Sequence, residues 1–299
     1  MRSAPKELRS LGGLRVQTLL WPLPIPKGLR ISMRVASGIK SVEWRFRGVA
    51  LLVLATMSGL VWGTPLRACA SDVDLPPFVL TSRSGFTDGV QNTGLAVNVL
   101  QRALRRSGRE PALIERLPWR RCREAVASGE FQIAIDVPTQ ELDARRFVAT
   151  DAFAEVHHVY FYSPKAFPKG PPLLSVSDLK RYRICAPAGS NLDTYGIDRN
   201  RQDTGARDAR SAIVKVAAGR CDVFMEFREV VDSLFAHDAN LRDLFNDSGI
   251  RRVDMPEEAS IGLHFEFSSQ MLEARALQQS FNATIRFLID KGEMLRMTP

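Results

Sequence analysis

The alternation of helical and strand-like apolar patterns between residues 94 and 135 constrains the fold most strongly. Residues 95–104 carry apolar side chains at 95, 99, 100, 103 and 104, which is the spacing of one helix face. Residues 111–117 are typical of a strand, residues 120–128 of a second helix that ends at Gly129, and residues 131–135 of a buried strand. This order predicts an α/β fold in which helices cover a mainly parallel sheet.

The second half of the chain repeats the same alternation. Residues 157–163 are strongly β-forming, and residues 164–172 form a turn-rich linker. Beyond the linker, the pattern predicts a strand at 182–186, a helix near 208–219, a strand at 221–227, a further strand at 260–268 and a last helix that stops at Gly292. The apolar fraction of 45% is normal for a chain that buries a core, and 299 residues are enough for two domains.

The net charge of +8 belongs to the start of the chain. The first 70 residues hold 11 of the 41 basic residues and 2 of the 33 acidic ones, which leaves residues 71–299 with a net charge of −1. A nucleic-acid-binding domain needs a basic surface on its folded part. We therefore do not expect nucleic acid as a partner.

Residues 1–70 have the composition of a leader with a secretory signal peptide. Arg45 and Arg47 precede the uncharged run 48–62, and Ala68-Cys69-Ala70 supplies the small residues that a signal peptidase requires. These features predict cleavage near Ala70 or a few residues earlier, and hence export to the periplasm. An uncleaved membrane anchor is the alternative.

Two further alternatives concern the same segment. The stretch before the uncharged run is long for a signal peptide, so translation starting at Met33 is an alternative to Met1. Residues 66–69 have the outline of a lipoprotein cleavage box, which would attach a lipid anchor to Cys69. Arg67 occupies a position where such a box has a small residue, so cleavage without lipidation is preferred.

Four cysteines in an exported chain predict up to two disulfides. Of the three possible pairings, we prefer the one that keeps each bridge within one α/β unit. It joins Cys69 to Cys122 and Cys185 to Cys221. Four free thiols are the alternative, and cleavage after Ala70 would remove Cys69. No CxxC or HxxxH spacing for a metal site occurs, so we expect neither a metal nor a cofactor.

The sequence contains no motif that indicates an enzyme. GxSxG, HExxH, GxxxxGK[ST] and GxGxxG are all absent. The four histidines have no neighbours at ligand spacing, and His157 and His158 alternate along a β-like run, so that one should be packed and the other exposed. These observations favour a binding function over catalysis.

The order of short motifs resembles that of the bacterial solute-binding proteins of the amino-acid-binding type (family 3), which are the periplasmic components of ABC importers. The resemblance covers nearly all of residues 75–296. The matching segments are Gly94–Val97, Trp119 after Leu117-Pro118, Gly129-Glu130, Thr139–Glu141, Thr150–Phe153, Ala188–Asn191, Ala218–Asp222, Gly262-Leu263 and Lys291-Gly292.

The resemblance implies a two-lobed periplasmic-binding-protein fold of type II, with a ligand bound between the lobes by hinge closure. Each lobe would be a mainly parallel sheet flanked by helices. Lobe one would comprise residues 71–160 and 265–299, lobe two residues 161–264, and two crossing segments, 155–164 and 260–268, would join them. The resemblance further implies a monomer that binds a small polar solute, an amino acid or a related carboxylate, and delivers it to an inner-membrane ABC permease.

Carried over residue by residue, the resemblance assigns ligand contacts to five residues. They are Phe78, Trp119, Ser190, Asn191 and Glu226. Phe227 stands where members of the family often place the aspartate that holds an α-ammonium group, and Glu226 would supply that charge instead.

The chain departs from the family at the expected carboxylate anchor. Leu142 occupies the arginine position of the Thr-x-x-Arg pattern. Arg145 and Arg146 follow closely, and a planar guanidinium can clamp a carboxylate, so one of them is the candidate anchor. The spacing does not choose between them. A sensor or accessory protein that keeps the fold without transport is the alternative function.

Overall fold

The computed structural model describes residues 64–83, 90–187, 190, 192–256 and 260–297. The strands are β1 (Arg67–Ser71), β2 (Leu80–Arg83), β3 (Val90–Thr93), β4 (Leu113–Leu117), β5 (Ile133–Pro138), β6 (Phe147–Ala149), β7 (Ala154–Val156), β8 (His158–Tyr162), β9 (Ile184–Pro187), β10 (Gln202–Ala206), β11 (Val223–Phe227), β12 (Arg251–Asp254) and β13 (Ile261–Ser268). The helices are α1 (Leu95–Arg106), α2 (Trp119–Ala127), α3 (Ala209–Ala217), α4 (Arg228–His237), α5 (Ala239–Ser248), α6 (Ala274–Asp290) and α7 (Met294–Met297). Short 3-10 turns span Thr139–Glu141, Val176–Arg181, Leu192–Tyr195 and Arg199–Arg201.

Lobe one is built on a sheet with the strand order β4-β1-β5-β13-β6, in which β7 also pairs with β13. β1 runs parallel to β4 and β5, whereas β13 runs antiparallel to β5, β6 and β7. Alternate residues of β1 face opposite sides of the sheet. Ala68 and Ala70 pack with α1 and α6, and Cys69 packs with α2 on the other side.

Lobe two is built on a sheet with the order β10-β9-β11-β8-β12. β9, β10 and β11 are parallel, and β8 runs antiparallel to β11 and β12. Helices α3, α4 and α5 pack on one face of this sheet, and the 3-10 turns at Val176–Arg181 and Leu192–Tyr195 pack on the other. The helix pair α4–α5 and the hairpin β2–β3 were not expected from the sequence.

The chain passes between the lobes twice. The first passage is at His157, between β7 of lobe one and β8 of lobe two, and the second lies between Asp254 and Ile261. All of β13 pairs within the sheet of lobe one, and all of β8 within that of lobe two. The lobe boundaries expected at 160/161 and 264/265 therefore move to these two passages, because strand pairing keeps each strand whole within one sheet.

The expected leader boundary at residue 70 is corrected by β1. Arg67–Ser71 lies between β4 and β5, with Ala68, Cys69 and Ala70 almost fully buried. Cleavage after Ala70 would remove this strand from the middle of the sheet. A mature chain with this fold therefore retains Arg67. Residues 1–63, which hold the rest of the predicted leader and Met33, lie outside the described residues.

Both expected disulfides are present. Cys69 is bonded to Cys122 and Cys185 to Cys221. The predicted pairing, with each bridge inside one α/β unit, is confirmed. The first bridge ties β1 to α2, and the second ties β9 to the turn before β11. The alternative of a lipid anchor on Cys69 is corrected, because its sulfur is already bonded and the residue lies within a central strand.

None of the helices in the described ranges is both long enough and apolar enough to span a membrane.

Candidate functional site

A cleft between the lobes contains two adjoining cavities. The inner chamber has a volume of about 170 Å³ and the outer chamber about 610 Å³, and Trp119, Glu141 and Ser190 line both. The inner chamber is lined by Ala70, Ser71, Val73, Asp74, Leu75, Val79, Trp119, Ile135, Asp136, Pro138, Glu141, His158, Ala186, Pro187, Ser190, Leu192, Tyr195, Met225, Glu226 and Phe227. These residues come from both lobes, so a bound molecule would contact both.

Asp136 enters the inner chamber from an irregular point of β5. Ile135 and Asp136 together stand opposite Phe265 alone, which is a β-bulge, and Asp136 has a left-handed backbone with φ 62°. Aspartate is among the few residues that adopt this conformation readily. The bulge aims the side chain into the cleft.

The Asp136 carboxyl group is buried, and one of its oxygens has no hydrogen-bond partner in the described part of the chain. The residue is 9% exposed, and the atom without a partner is Oδ1. Burial raises the pKa of Asp136 to about 8, against a weaker opposing attraction from the Arg116 guanidinium. At neutral pH the carboxyl group is therefore mostly protonated.

Glu226 reaches the same chamber from lobe two. It lies near the end of β11, and its Oε1 accepts a hydrogen bond of 2.9 Å from the backbone N–H of Phe227. Burial raises the pKa of Glu226 to about 7, and the hydrogen bond only partly offsets this effect. Among the described residues, no basic side chain forms an ion pair with Glu226 or Asp136.

Aromatic side chains form much of the remaining wall. In lobe two, the His158 ring stacks on Phe227 at 5.0 Å between centroids and meets Tyr195 edge-on at 5.2 Å. The Tyr195 hydroxyl and His158 Nε2 are 3.0 Å apart. Trp119 closes the chamber from lobe one, where its Nε1–H donates to Glu141 Oε2 at 2.8 Å. The chamber thus combines aromatic faces with carboxyl groups.

A buried ion pair supports the Trp119 side of the cleft. Arg123 pairs with Glu266, which is 1% exposed, and donates to the backbone oxygen of Glu141 at 3.0 Å. Burial lowers the pKa of Arg123 to about 10, with attraction to Glu141 opposing the shift. The Arg123 guanidinium also lies 4.1 Å from the centre of the Phe147 ring. These contacts fix the 3-10 turn Thr139–Glu141 against β13.

The inner chamber is acidic. Its lining includes Asp74, Asp136, Glu141 and Glu226 and, among the described lining residues, no lysine or arginine. Asp74 is compensated from behind the chamber, because it pairs with Arg116 at 3.0 Å. The guanidinium of Arg116 is held there by Ser71, Thr81 and Asn92.

Arginines of the cleft lie in the outer chamber instead. Arg123 is paired with Glu266, Arg146 with Glu124 at 2.6 Å and Arg199 with Asp193 at 2.9 Å. Arg120, on the lobe-one side, attracts Asp193 across the cleft and helps to lower the pKa of that carboxyl group, after larger effects of Arg199 and Gln202.

The expected ligand residues are dispersed by the fold. Trp119, Ser190 and Glu226 line the inner chamber. Arg146 lines the outer chamber, whereas Arg145 is exposed and lines neither of these two chambers. Asn191 lies outside the described residues.

Phe78 lies in the core of lobe one and lines neither of the two chambers. It is 3% exposed and packs in the apolar cluster of lobe one. Its carbonyl oxygen accepts from Ala96 N–H at the start of α1, and a Cβ at Gly94, where φ is 117°, would clash with the same oxygen. The backbone of Phe78 is therefore packed closely against the start of α1.

The sequence interpretation missed Asp136, His158 and Tyr195. The one available signal for Asp136 is an acidic residue directly after the apolar run 133–135, at the end of a buried strand. For His158 the alternation with His157 was read correctly, since His158 is 3% exposed and the His157 side chain 38%. Tyr195 follows a loop and gives no periodic signal.

Solved structures resemble this chain over most of its length. A histidine kinase sensor domain with similarity to periplasmic binding proteins aligns at a TM-score of 0.59 and 15% identity, covering 79% of this chain and 95% of that one. An amino-acid ABC transporter substrate-binding protein from Streptococcus pneumoniae, bound to L-arginine, aligns at 0.59 and 15%, covering 78% and 92%. This chain has the type II periplasmic-binding-protein fold.

A third similar structure is the arginine-, lysine- and histidine-binding protein of Geobacillus stearothermophilus, with a TM-score of 0.55, 14% identity and coverage of 78% of this chain and 93% of that one. No protein-family model matches the sequence, and no curated protein matches it significantly. These identities are low, so the likeness is one of fold. The fold predicted from the motif order is confirmed.

Proposed function

We propose that this protein is an exported solute-binding protein that captures a small polar solute between its lobes and delivers it to an ABC importer. The observation that carries the proposal is the inner chamber, to which each lobe contributes at least one aromatic ring and a carboxyl group that has no ionic partner among the described residues. Cavities with apolar walls and a few convergent polar groups are the usual form of small-molecule sites.

The first passage between the lobes supports closure as the binding motion. It is a single residue, His157, between a strand of one sheet and a strand of the other, and hinge motions are absorbed by few residues at such points. At the first passage, His157 is held to α4 of lobe two. Its N–H donates to Glu229 at 2.9 Å, and its carbonyl oxygen accepts from Arg228 N–H at 2.7 Å.

Binding without catalysis, export and action as a monomer belong to the same proposal. The similar solved structures are binding proteins and a sensor domain, which supports binding over catalysis. Two disulfides are typical of chains that fold in an oxidising compartment such as the periplasm. We propose Trp119, Ser190 and Glu226 as ligand contacts, together with Asp136.

Thermal denaturation in the presence of a panel of small solutes tests this function. The panel contains amino acids, diamines, polyamines and small dicarboxylates, because a solute that binds only the native state raises the melting temperature. We expect at least one class to raise it in a concentration-dependent way. If no member has an effect at millimolar concentration, the proposal of solute capture fails.

The second candidate function is sensing. The similarity to a histidine kinase sensor domain favours it, because the same fold there belongs to a signalling protein. Uptake of a labelled solute by cells with and without the gene separates the two roles. Loss of uptake on deletion supports transport, whereas unchanged uptake of a solute that binds the purified protein supports sensing.

A further inference from the structure

We propose that the inner chamber selects a small organic amine cation, held between Asp136 of lobe one and Glu226 of lobe two, and offers no anchor for a carboxylate. A diamine with a short methylene chain is the ligand class that fits this arrangement. The inference rests on the proposed function and names its substrate class.

Asp136 carries the first step of the argument. Its carboxyl group is more than nine-tenths buried, points into the chamber and has an Oδ1 atom without a hydrogen bond from the described residues. A buried polar atom without a partner costs on the order of 1–3 kcal/mol, and a buried unpaired charge costs more. A ligand ammonium group would provide both the missing donor and the compensating charge.

Glu226 adds a second, partly buried carboxyl group from the opposite lobe. Its described contact is a single hydrogen bond from the adjacent Phe227 N–H, which leaves its other oxygen to the chamber. The described lining residues include no lysine or arginine, and the ring of the lining residue His158 is hydrogen-bonded to Tyr195. Two carboxyl groups in one chamber of about 170 Å³ match a compact ligand with positive charge.

The aromatic walls suit the rest of such a ligand. Trp119 from lobe one and Tyr195 and Phe227 from lobe two line the chamber. Aromatic faces attract organic cations through their quadrupole and also pack against methylene groups. An alkyl chain with terminal ammonium groups would use both properties.

The described part of the chamber lacks an anion site. Its lining contains no lysine or arginine, and the first two N–H groups of α1 already donate to the carbonyl oxygens of Pro77 and Phe78. Ser190 N–H likewise donates to Pro187. A ligand carboxylate in this chamber would meet Asp136 and Glu226 without compensation, which disfavours a free amino acid.

The placement of the two acids on different lobes also links binding to closure. An ammonium group contacts both carboxylates only when the lobes are together, so the cation binds the closed state more tightly than the open one.

Isothermal titration with a matched pair of ligands tests the inference. L-lysine and 1,5-diaminopentane differ only in the α-carboxylate, and glutarate provides the anionic counterpart. At pH 8.5 we expect 1,5-diaminopentane to bind at least about 10-fold more tightly than L-lysine, and glutarate not to bind. Equal or tighter binding of L-lysine, or any binding of glutarate in the chamber, would overturn the inference while leaving solute capture intact. Failure of every solute in the wider panel would reject the proposed function itself.

Neutral isosteric variants assign the effect to the two acids. Asp136→Asn and Glu226→Gln should each weaken binding of 1,5-diaminopentane at least about 10-fold, whereas Asp290→Asn, at an exposed site on α6, should leave it unchanged. Asparagine also accepts the left-handed backbone at position 136, so this variant is suited to fold normally. Melting curves of all variants check folding, and unchanged affinity in a folded Asp136→Asn or Glu226→Gln variant would refute the assignment.

Discussion

At the scale of single residues, Asp136 is the most informative position, because it places a buried carboxyl group in the inner chamber of the cleft. The sequence indicates a buried strand up to Ile135, but it does not reveal the bulge that turns the next side chain towards lobe two. Long-range pairing with β13 produces that bulge, and periodicity along one strand cannot show it. The assignment of Arg145 or Arg146 as a carboxylate anchor stays a prediction. A guanidinium near a strand end is equally able to pair with a neighbouring acid, as Arg146 does with Glu124.

Replacing Asp136 should stabilise the empty protein at high pH. The folded-state pKa of about 8 exceeds the ordinary value of 3.8, so the folded state holds its proton longer than the unfolded one. The contribution of the Asp136 carboxyl group to the free energy of unfolding is fully present below about pH 4 and is lost as the pH rises through about 8. Asp136→Asn should therefore gain free energy of unfolding over wild type between these limits, by on the order of 1 kcal/mol per pH unit.

Urea denaturation at pH 4, 6 and 8.5 measures this difference. Asp290→Asn serves as the control for the loss of one acidic group at the surface. A gain that is the same at all three pH values would show that Asp136 does not retain a proton in the folded protein.

The affinity for a diamine should rise with pH, whereas the stability of the wild-type protein should fall. A diamine stays protonated well above pH 8, while Asp136 and Glu226, with pKa values of about 8 and 7, must ionise to bind it. The other ionisable groups at the chamber are Asp74, Glu141, His158 and Tyr195 in its lining and Arg116 behind it. Affinity for 1,5-diaminopentane should rise from pH 6 to pH 9, by up to about 10-fold per pH unit for each carboxyl group below its pKa.

Titrations in buffers without amines test this dependence. The rise should be smaller in Asp136→Asn and in Glu226→Gln than in wild type. Affinity that falls between pH 6 and pH 9 would indicate that the protonated carboxyl groups, acting as hydrogen-bond donors, recognise the ligand.

At the scale of elements, local sequence patterns predicted two helices that each bury one face and two strands of lobe one. The expected helices at 95–104 and 120–128 correspond to α1 and α2, and the expected strands at 111–117 and 131–135 to β4 and β5. Elements set by tertiary pairing were missed, including the hairpin β2–β3 and the short strands β6 and β12. β1 was hidden because its small residues, Ala68-Cys69-Ala70, also have the composition of a cleavage site.

The disulfide between Cys69 and Cys122 should stabilise lobe one. It joins the central strand β1 to α2 across 53 residues of sequence. Replacing both cysteines by serine should lower the free energy of unfolding by about 2–4 kcal/mol, because the unfolded chain is no longer constrained. Urea denaturation of the variant and of wild type without reductant measures the loss. An unchanged denaturation midpoint would show that β1 does not depend on the bridge.

At the scale of the whole molecule, the order of motifs predicted the two-lobed fold, but not the positions of its boundaries. Short motifs mark turns and helix starts, whereas the passage from one sheet to the other depends on which strands pair. The chamber itself is a product of both lobes. Asp136 and Glu226 are 90 positions apart, and only the packing of the two sheets against a common cleft brings them to one cavity.

Capture of a solute by closure is the central claim, and small-angle X-ray scattering tests it most directly. Saturation of the wild-type protein with 1,5-diaminopentane should lower the radius of gyration, because the cation draws Asp136 and Glu226 together. The double variant Asp136→Asn, Glu226→Gln should show no change at the same concentration. An unchanged radius of gyration for the wild-type protein, at a concentration where titration shows full occupancy, would contradict capture by closure.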